Sequence, residues 1–174
     1  MLLETAGLSL RPWRISDAAI QRELWSGRDP RLPAARRISA DGRPTVEELE
    51  ERIRASEPPE QLGLLAVERQ DSRDMIGYCG LVAGSAPEGE LELAFELLRR
   101  TWGHGYATEA SWAVIDWATR TGHRRLWATV WDWNVASRRV PSKLGFRETG
   151  NVEHDDVHGD KVCTVKHLIA ESPV

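Results

Sequence analysis

Residues 99–110 read Arg99-Arg100-Thr101-Trp102-Gly103-His104-Gly105-Tyr106-Ala107-Thr108-Glu109-Ala110. Two glycines one residue apart follow a strand-like run and precede a helix-like run. Glycine lets backbone approach a ligand closely and adopt positive φ. The first N–H groups of the helix that follows have no internal partner and point outward at an anion. The stretch therefore predicts a turn that holds a phosphate-bearing ligand.

The neighbouring segments set that turn in an α/β pattern. Leu8 to Arg11 alternates as a strand, and Ser16-Asp17 supplies an N-cap signal for a helix over 18–25. Residues 27–44 carry Gly27, Pro30, Pro33, Gly42 and Pro44 and read as a loop or broken helix. Thr45 with Glu48 forms a capping-box pattern, opening a helix to about Ala55 that Glu57-Pro58-Pro59 would end. Strands are expected over 62–68 and 75–82, joined by a turn at 70–73. Another is expected over 90–98, where Glu90, Glu92 and Glu96 interleave with Leu91, Leu93, Phe95 and Leu97. A helix follows over 106–121 with Gly122 as its stop. Then come a strand over 125–133, a short helix over 134–144 stopped by Gly145, and strands over 146–150 and 161–169. This alternation predicts an α/β chain with a mixed sheet and helices on its faces, in a single domain spanning 1–174.

Composition narrows the classes. The 174 residues carry a formal net charge of −4, so bulk electrostatics favour neither nucleic acid nor an anionic membrane surface. Three of the 23 basic residues are Lys, and the arginines are scattered among acids, as coding bias produces. Cys79 and Cys163 lie in strand-like runs and read as buried thiols of a reducing, cytoplasmic compartment. Met1-Leu2-Leu3-Glu4 has no signal-peptide pattern, and no apolar run is long enough to span a bilayer. Eight Trp residues are expected in the core or lining a groove.

Three segments together resemble the GCN5-related N-acetyltransferase (GNAT) superfamily, nearest its branch that acetylates ribosomal-protein N-termini. They are Leu8-Ser9-Leu10-Arg11-Pro12-Trp13-Arg14-Ile15-Ser16-Asp17-Ala18, then Arg100-x-x-Gly103-x-Gly105-Tyr106-Ala107-Thr108-Glu109-Ala110. The third is Asn134-x-x-Ser137-x-x-Val140-x-x-Lys143-Leu144-Gly145-Phe146. The resemblance covers nearly the whole chain. It implies a mostly antiparallel sheet with splayed central strands and direct acetyl transfer from acetyl-CoA to a primary amine, such as a protein N-terminal α-amine. A small amine acceptor, or a catalytically weak acyl-CoA-binding module, are the competing readings.

By the same resemblance, Arg100, Trp102, Gly103, His104, Gly105, Tyr106 and Ala107 form the pyrophosphate turn. Phe95, Glu96 and Leu97 lie on a bulged strand whose freed backbone pairs with the pantetheine arm. Asn134 contacts the pantetheine or caps the next helix. Many relatives place a Tyr acid seven residues after that Asn; here the position is Pro141, so Ser137 is the candidate acid, or only a cap. Asp155 and Asp156 are candidate bases, beside Glu92, Glu96, Asp132, His154 and His158. The His and Asp cluster lacks metal-ligand spacing, so no metal is expected. Acceptor specificity is expected in residues 17–56 and 150–160. There Arg28, Arg31, Arg36, Arg37 and Arg43 either attract an acidic acceptor or form a solvated face, and Trp25, Trp131 and Trp133 line a groove or pack in the core. A homodimer is left open.

Overall fold

The computed structural model describes residues 2–56 and 63–168. The chain runs β1 (Leu3–Glu4), β2 (Leu8–Arg11), α1 (Ala18–Ser26), α2 (Val46–Ala55), β3 (Leu64–Arg69), β4 (Met75–Val82) and β5 (Leu91–Leu97). It continues through α3 (Tyr106–Arg120), β6 (Arg125–Trp131), α4 (Val135–Lys143), β7 (Arg147–Glu153) and β8 (Lys161–His167). Eight strands form one sheet in the order β1-β2-β3-β4-β5-β6-β8-β7. Every neighbouring pair is antiparallel except β5 and β6, which are parallel. The expected mixed, mostly antiparallel α/β sheet is thus the one observed.

The parallel pair touches for two residues only, Leu91 opposite Leu126 and Glu92 opposite Trp127. Beyond Glu92 the strands part. β5 stays paired with β4 through Leu97, with no register shift, so the expected bulge is absent from this strand; an irregularity sits instead in β3 at Val67/Glu68. A crossover helix explains the parallel pair, since two strands running the same way need a long connection, here supplied by α3. That helix buries Ala110, Val114, Ile115 and Ala118 against Leu8, Leu10, Val67, Cys79, Leu93 and Leu126. Cys79 Sγ lies 3.6 Å from Ser111 Oγ on α3. Burial pushes the Cys79 thiol up to about 12, and both cysteines are free and buried.

The opposite face receives α1 and α2. Thr45 and Glu48 form the expected capping box: the Thr45 Oγ1 accepts from Glu48 N at 3.3 Å, and Glu48 Oε2 accepts from Thr45 N at 2.9 Å. Asp17 departs from expectation. Its side chain does not cap α1 but accepts from Arg14 N and from both terminal nitrogens of Arg11, at 2.7–2.9 Å. Arg11 Nε in turn donates to Glu68 Oε2 at 2.7 Å. All three side chains are buried, so a charge cluster, not a cap, anchors the start of α1. The reason is that Arg11, facing inward from β2, needs two carboxylates to offset its desolvation. β1 is a short additional strand, and the Glu57-Pro58-Pro59 stop, Leu62 and Ile169 lie outside the described residues. No helix among the described residues is long and apolar enough to cross a membrane.

Candidate functional site

The glycine turn joins β5 to α3. Gly103 and Gly105 adopt φ of +82° and +84°, and space is open where a Cβ would project from either. Positive φ is costly for other residues, which explains both glycines. Gly105 is the N-cap of α3 and no side chain caps the helix. The first intrahelical bond from this end runs from Glu109 N to Gly105 O, leaving the N–H groups of Tyr106, Ala107 and Thr108 without helical partners. An uncapped helix N-terminus beneath an open, glycine-lined turn fits a diphosphate.

Side chains around the turn serve mainly to shape it. Glu109 reaches back, its Oε1 accepting from Thr5 Oγ1 at 2.6 Å and Gly7 N at 2.8 Å, and so ties the β1–β2 turn to the first turn of α3. His104 stacks on Tyr106 with ring centroids 5.5 Å apart, and its Nδ1–H donates to Trp102 O at 2.9 Å. Arg100 pairs with Glu23 of α1 at the surface. Trp102 is half exposed and its indole N–H donates to Leu97 O at 2.8 Å.

The split between β5 and β6 opens directly before this turn. Leu98 N donates to Ile76 O. In an antiparallel pair the bonding direction alternates, so Leu93, Phe95 and Leu97 turn their N–H and C=O groups into the split. Those of Glu96 face β4. Phe95 therefore offers the split both of its backbone groups; Leu97 offers its N–H, because its carbonyl already accepts the Trp102 indole. At the fork, Glu92 accepts from Thr129 N at 3.0 Å and from Ser85 N at 2.8 Å, filling the place of the ladder bonds that end there. Glu90 meets Arg125 and Trp127.

Glu96 has a distinct surrounding. Arg28 donates from Nε and Nη2 to its carboxylate at 2.6–3.1 Å, and the Tyr78 hydroxyl donates to Oε2 at 2.8 Å. The Arg28 side chain is 7% exposed and that of Glu96 22%. Burial and the Glu96 charge push the Tyr78 phenol far up, so it stays a donor. Arg28 also covers the Trp25 ring at 4.3 Å. Three residues on, Arg31 covers Trp133 at 4.1 Å, while Trp133 stacks on Trp131 at 6.1 Å. The loop after α1 thus spans the split, held at one side by Glu96 of β5 and at the other by Trp133 beyond β6. Pairwise motifs did not signal this; only the common face of Tyr78, Glu96 and Trp131 brings it together.

Beyond β6, Asn134 Oδ1 accepts from Ser137 N at 3.1 Å and caps α4. The half-buried Ser137 hydroxyl has no hydrogen-bond partner among the described residues. Pro141 lies buried inside α4 and offers no N–H to the Ser137 carbonyl four residues earlier, which opens the helix at that turn. Asp155 accepts from Val157 N, His158 N and His158 Nδ1, all at 3.0 Å, and these donors hold it below the usual carboxylate range. That makes it a weak base but a firm partner for His158, whose ring lies 6.1 Å from Trp131. Asp156 is exposed and faces His154 Nε2 at 3.0 Å. Asp132 accepts from Trp133 N at 2.7 Å. No grouping of three or more His, Cys, Asp or Glu side chains suited to a metal ion occurs among the described residues.

Residues 8–147 match the family model described as "Acetyltransferase (GNAT) domain". The chain is 27% identical over 158 residues to the uncharacterized N-acetyltransferase p20 of Bacillus licheniformis, covering 85% of this chain and 83% of that one. The match to the uncharacterized N-acetyltransferase YoaA of Bacillus subtilis is 31% identical and spans 48% of either chain, about half that relative's length. Among solved structures, a GNAT-family acetyltransferase from Bacillus anthracis superposes with a TM-score of 0.77 at 20% identity, over 96% of this chain and 98% of that one. RimL, a ribosomal L7/L12 alpha-N-protein acetyltransferase in complex with coenzyme A, gives 0.75 at 14% identity, over 98% and 100%. The spermidine/spermine N-acetyltransferase SpeG of Vibrio cholerae gives 0.72 at 16%, over 94% and 95%.

Proposed function

The chain belongs to the GNAT acetyltransferase family, and from that premise we propose that it is a single-domain N-acetyltransferase moving the acetyl group of acetyl-CoA onto the α-amine of a peptide. The observation that carries this reading is the split between β5 and β6, open directly before an uncapped helix N-terminus. The N–H groups of Gly103 to Ala107 receive the pyrophosphate. Phe95 and the Leu97 N–H pair with the pantetheine amides as an added strand would. The thioester carbonyl then lies in the split, where a strand N–H stabilises the developing oxyanion.

The acceptor enters from the face carrying Glu96, Trp131 and Trp133. Its amine nitrogen forms the new C–N bond as the C–S bond breaks. The amine proton passes to His158, whose Nδ1–H is held by Asp155 so that the neutral ring presents Nε2 as acceptor. The Ser137 hydroxyl donates to the departing thiolate and is reprotonated from solvent. Asp155 acts through His158, and Asp156 stays in solvent. A polyamine acceptor is disfavoured by the acids of this face: Glu90, Glu92 and Glu96 are already paired with arginines, Trp127 or backbone N–H groups.

Incubation with acetyl-CoA and a panel of peptides, polyamines and small amines tests the reading. Release of free CoA thiol with acetylated peptide N-termini, seen by mass spectrometry, is the expected result. Tight acetyl-CoA binding without turnover on any amine overturns it in favour of a binding module, and exclusive polyamine acetylation overturns the acceptor class.

A further inference from the structure

A cleft of about 400 Å³ lies between the end of α1, the loop that follows it and α2. Its walls include Trp25 and Pro44 on the apolar side, and Arg37, Arg43, Arg52 and Glu48 on the polar side. Arg43 Nε donates to Glu48 Oε1 at 2.7 Å, so these two charges offset one another. Neither Arg37 nor Arg52 is in an ion pair among the described residues. The Arg37 Nε atom is buried and has no hydrogen-bond partner among them. A buried donor without an acceptor is unfavourable, and it leaves the Arg37 guanidinium without a partner among the described residues.

We propose that this cleft is a carboxylate-binding site. Guanidinium groups recognise a planar carboxylate through paired N–H donors. The surface of Trp25 and Pro44 beside them suits a carboxylate borne on a carbon chain better than a bare inorganic anion. The other neighbour of Trp25 is Arg28, which holds Glu96 on the acceptor face, so the cleft adjoins the site of transfer. The carboxylate comes either from an acidic side chain of the acceptor, an arm that rests on the proposed acetyl transfer, or from a free dicarboxylate, which does not.

Calorimetric titration of the intact chain with succinate tests the site without any turnover. Saturable binding that weakens with salt is expected, and the Arg37→Gln/Arg52→Gln variant is expected to lose at least about 10-fold in affinity. Independently of any variant, succinate is expected to slow phenylglyoxal modification of Arg37, mapped by mass spectrometry. Paired peptides differing only by Glu or Gln near the N-terminus then separate the sources. A lower KM for the Glu peptide that the double variant erases assigns the acceptor; equal KM values with succinate binding assign a free dicarboxylate. Absence of saturable binding with unchanged Arg37 reactivity overturns the proposal, as does sulfate binding as tightly as succinate.

Discussion

The carboxylate of Glu96 on β5 and the guanidinium of Arg28 after α1 are joined by contacts of 2.6–3.1 Å, with Arg28 almost wholly buried. Breaking a buried pair strands the remaining charge, a loss of about 3–5 kcal/mol. Arg28→Met is therefore expected to lower stability by about 3 kcal/mol in urea unfolding. Because the pair also fixes the loop over the split, kcat/KM for the acceptor is expected to fall by more than that for acetyl-CoA. Equal losses for both substrates would separate the loop from acceptor binding.

Gly105 sits at φ +84° with open space where a Cβ would stand. Gly105→Val adds left-handed strain of about 1–2 kcal/mol and places carbon where the anion would lie. Acetyl-CoA affinity by calorimetry is expected to fall at least tenfold; unchanged affinity removes the turn from the binding site.

Ser137→Ala deletes a hydroxyl but keeps the Asn134 cap, which uses the Ser137 backbone N–H. Turnover is expected to drop more than acetyl-CoA affinity. Undiminished kcat would leave Ser137 only the backbone N–H that it donates to the Asn134 cap.

Asp17 and Glu68 hold Arg11 in the interior. Asp17→Ala is expected to cost about 3–5 kcal/mol in chemical unfolding. Burial raises the Glu68 pKa, but Arg11, Arg14 and Arg73 outweigh it and leave it lowered. A carboxylate lowered by folding contributes stability above its unfolded value and loses it as pH falls through the folded one. Glu68→Gln is thus expected to flatten the acid limb of the stability profile; an unaltered limb would contradict the assignment.

Exposed His154 is raised above the ordinary 6.5 by its hydrogen bond to Asp160, with Asp156 adding to it. A raised imidazole holds its partner below the unfolded pKa and releases it as pH climbs through the folded value. An NMR titration of the His154 ring is expected to show an elevated midpoint that Asp160→Asn returns towards the ordinary one.

Local chemistry made much of the fold legible. The Gly103-x-Gly105 spacing required positive φ ahead of a helix, and Thr45 with Glu48 specified a helix start, because both depend on atoms a few residues apart. Alternation along residues 90–98 located β5 but offered Glu92 and Glu96 only as candidate bases, with no sign of what they bind. Their partners Arg28, Tyr78 and Thr129 come from distant segments, and no short-range pattern encodes them. Asp17 was misread for a different reason: the buried Arg11 of β2, only six residues earlier, takes the carboxylate that a helix cap would use.

The residues in order were enough to specify an α/β chain, the glycine turn that opens α3, and the Asn134 to Phe146 segment that follows β6. Those features arise from backbone preferences and hydrogen bonds within a helix turn or strand. The parting of β5 from β6 after Glu92 and the Arg28–Arg31 loop across the split arise from packing. Each joins groups far apart in sequence, and burial of the shared sheet face sets where they meet.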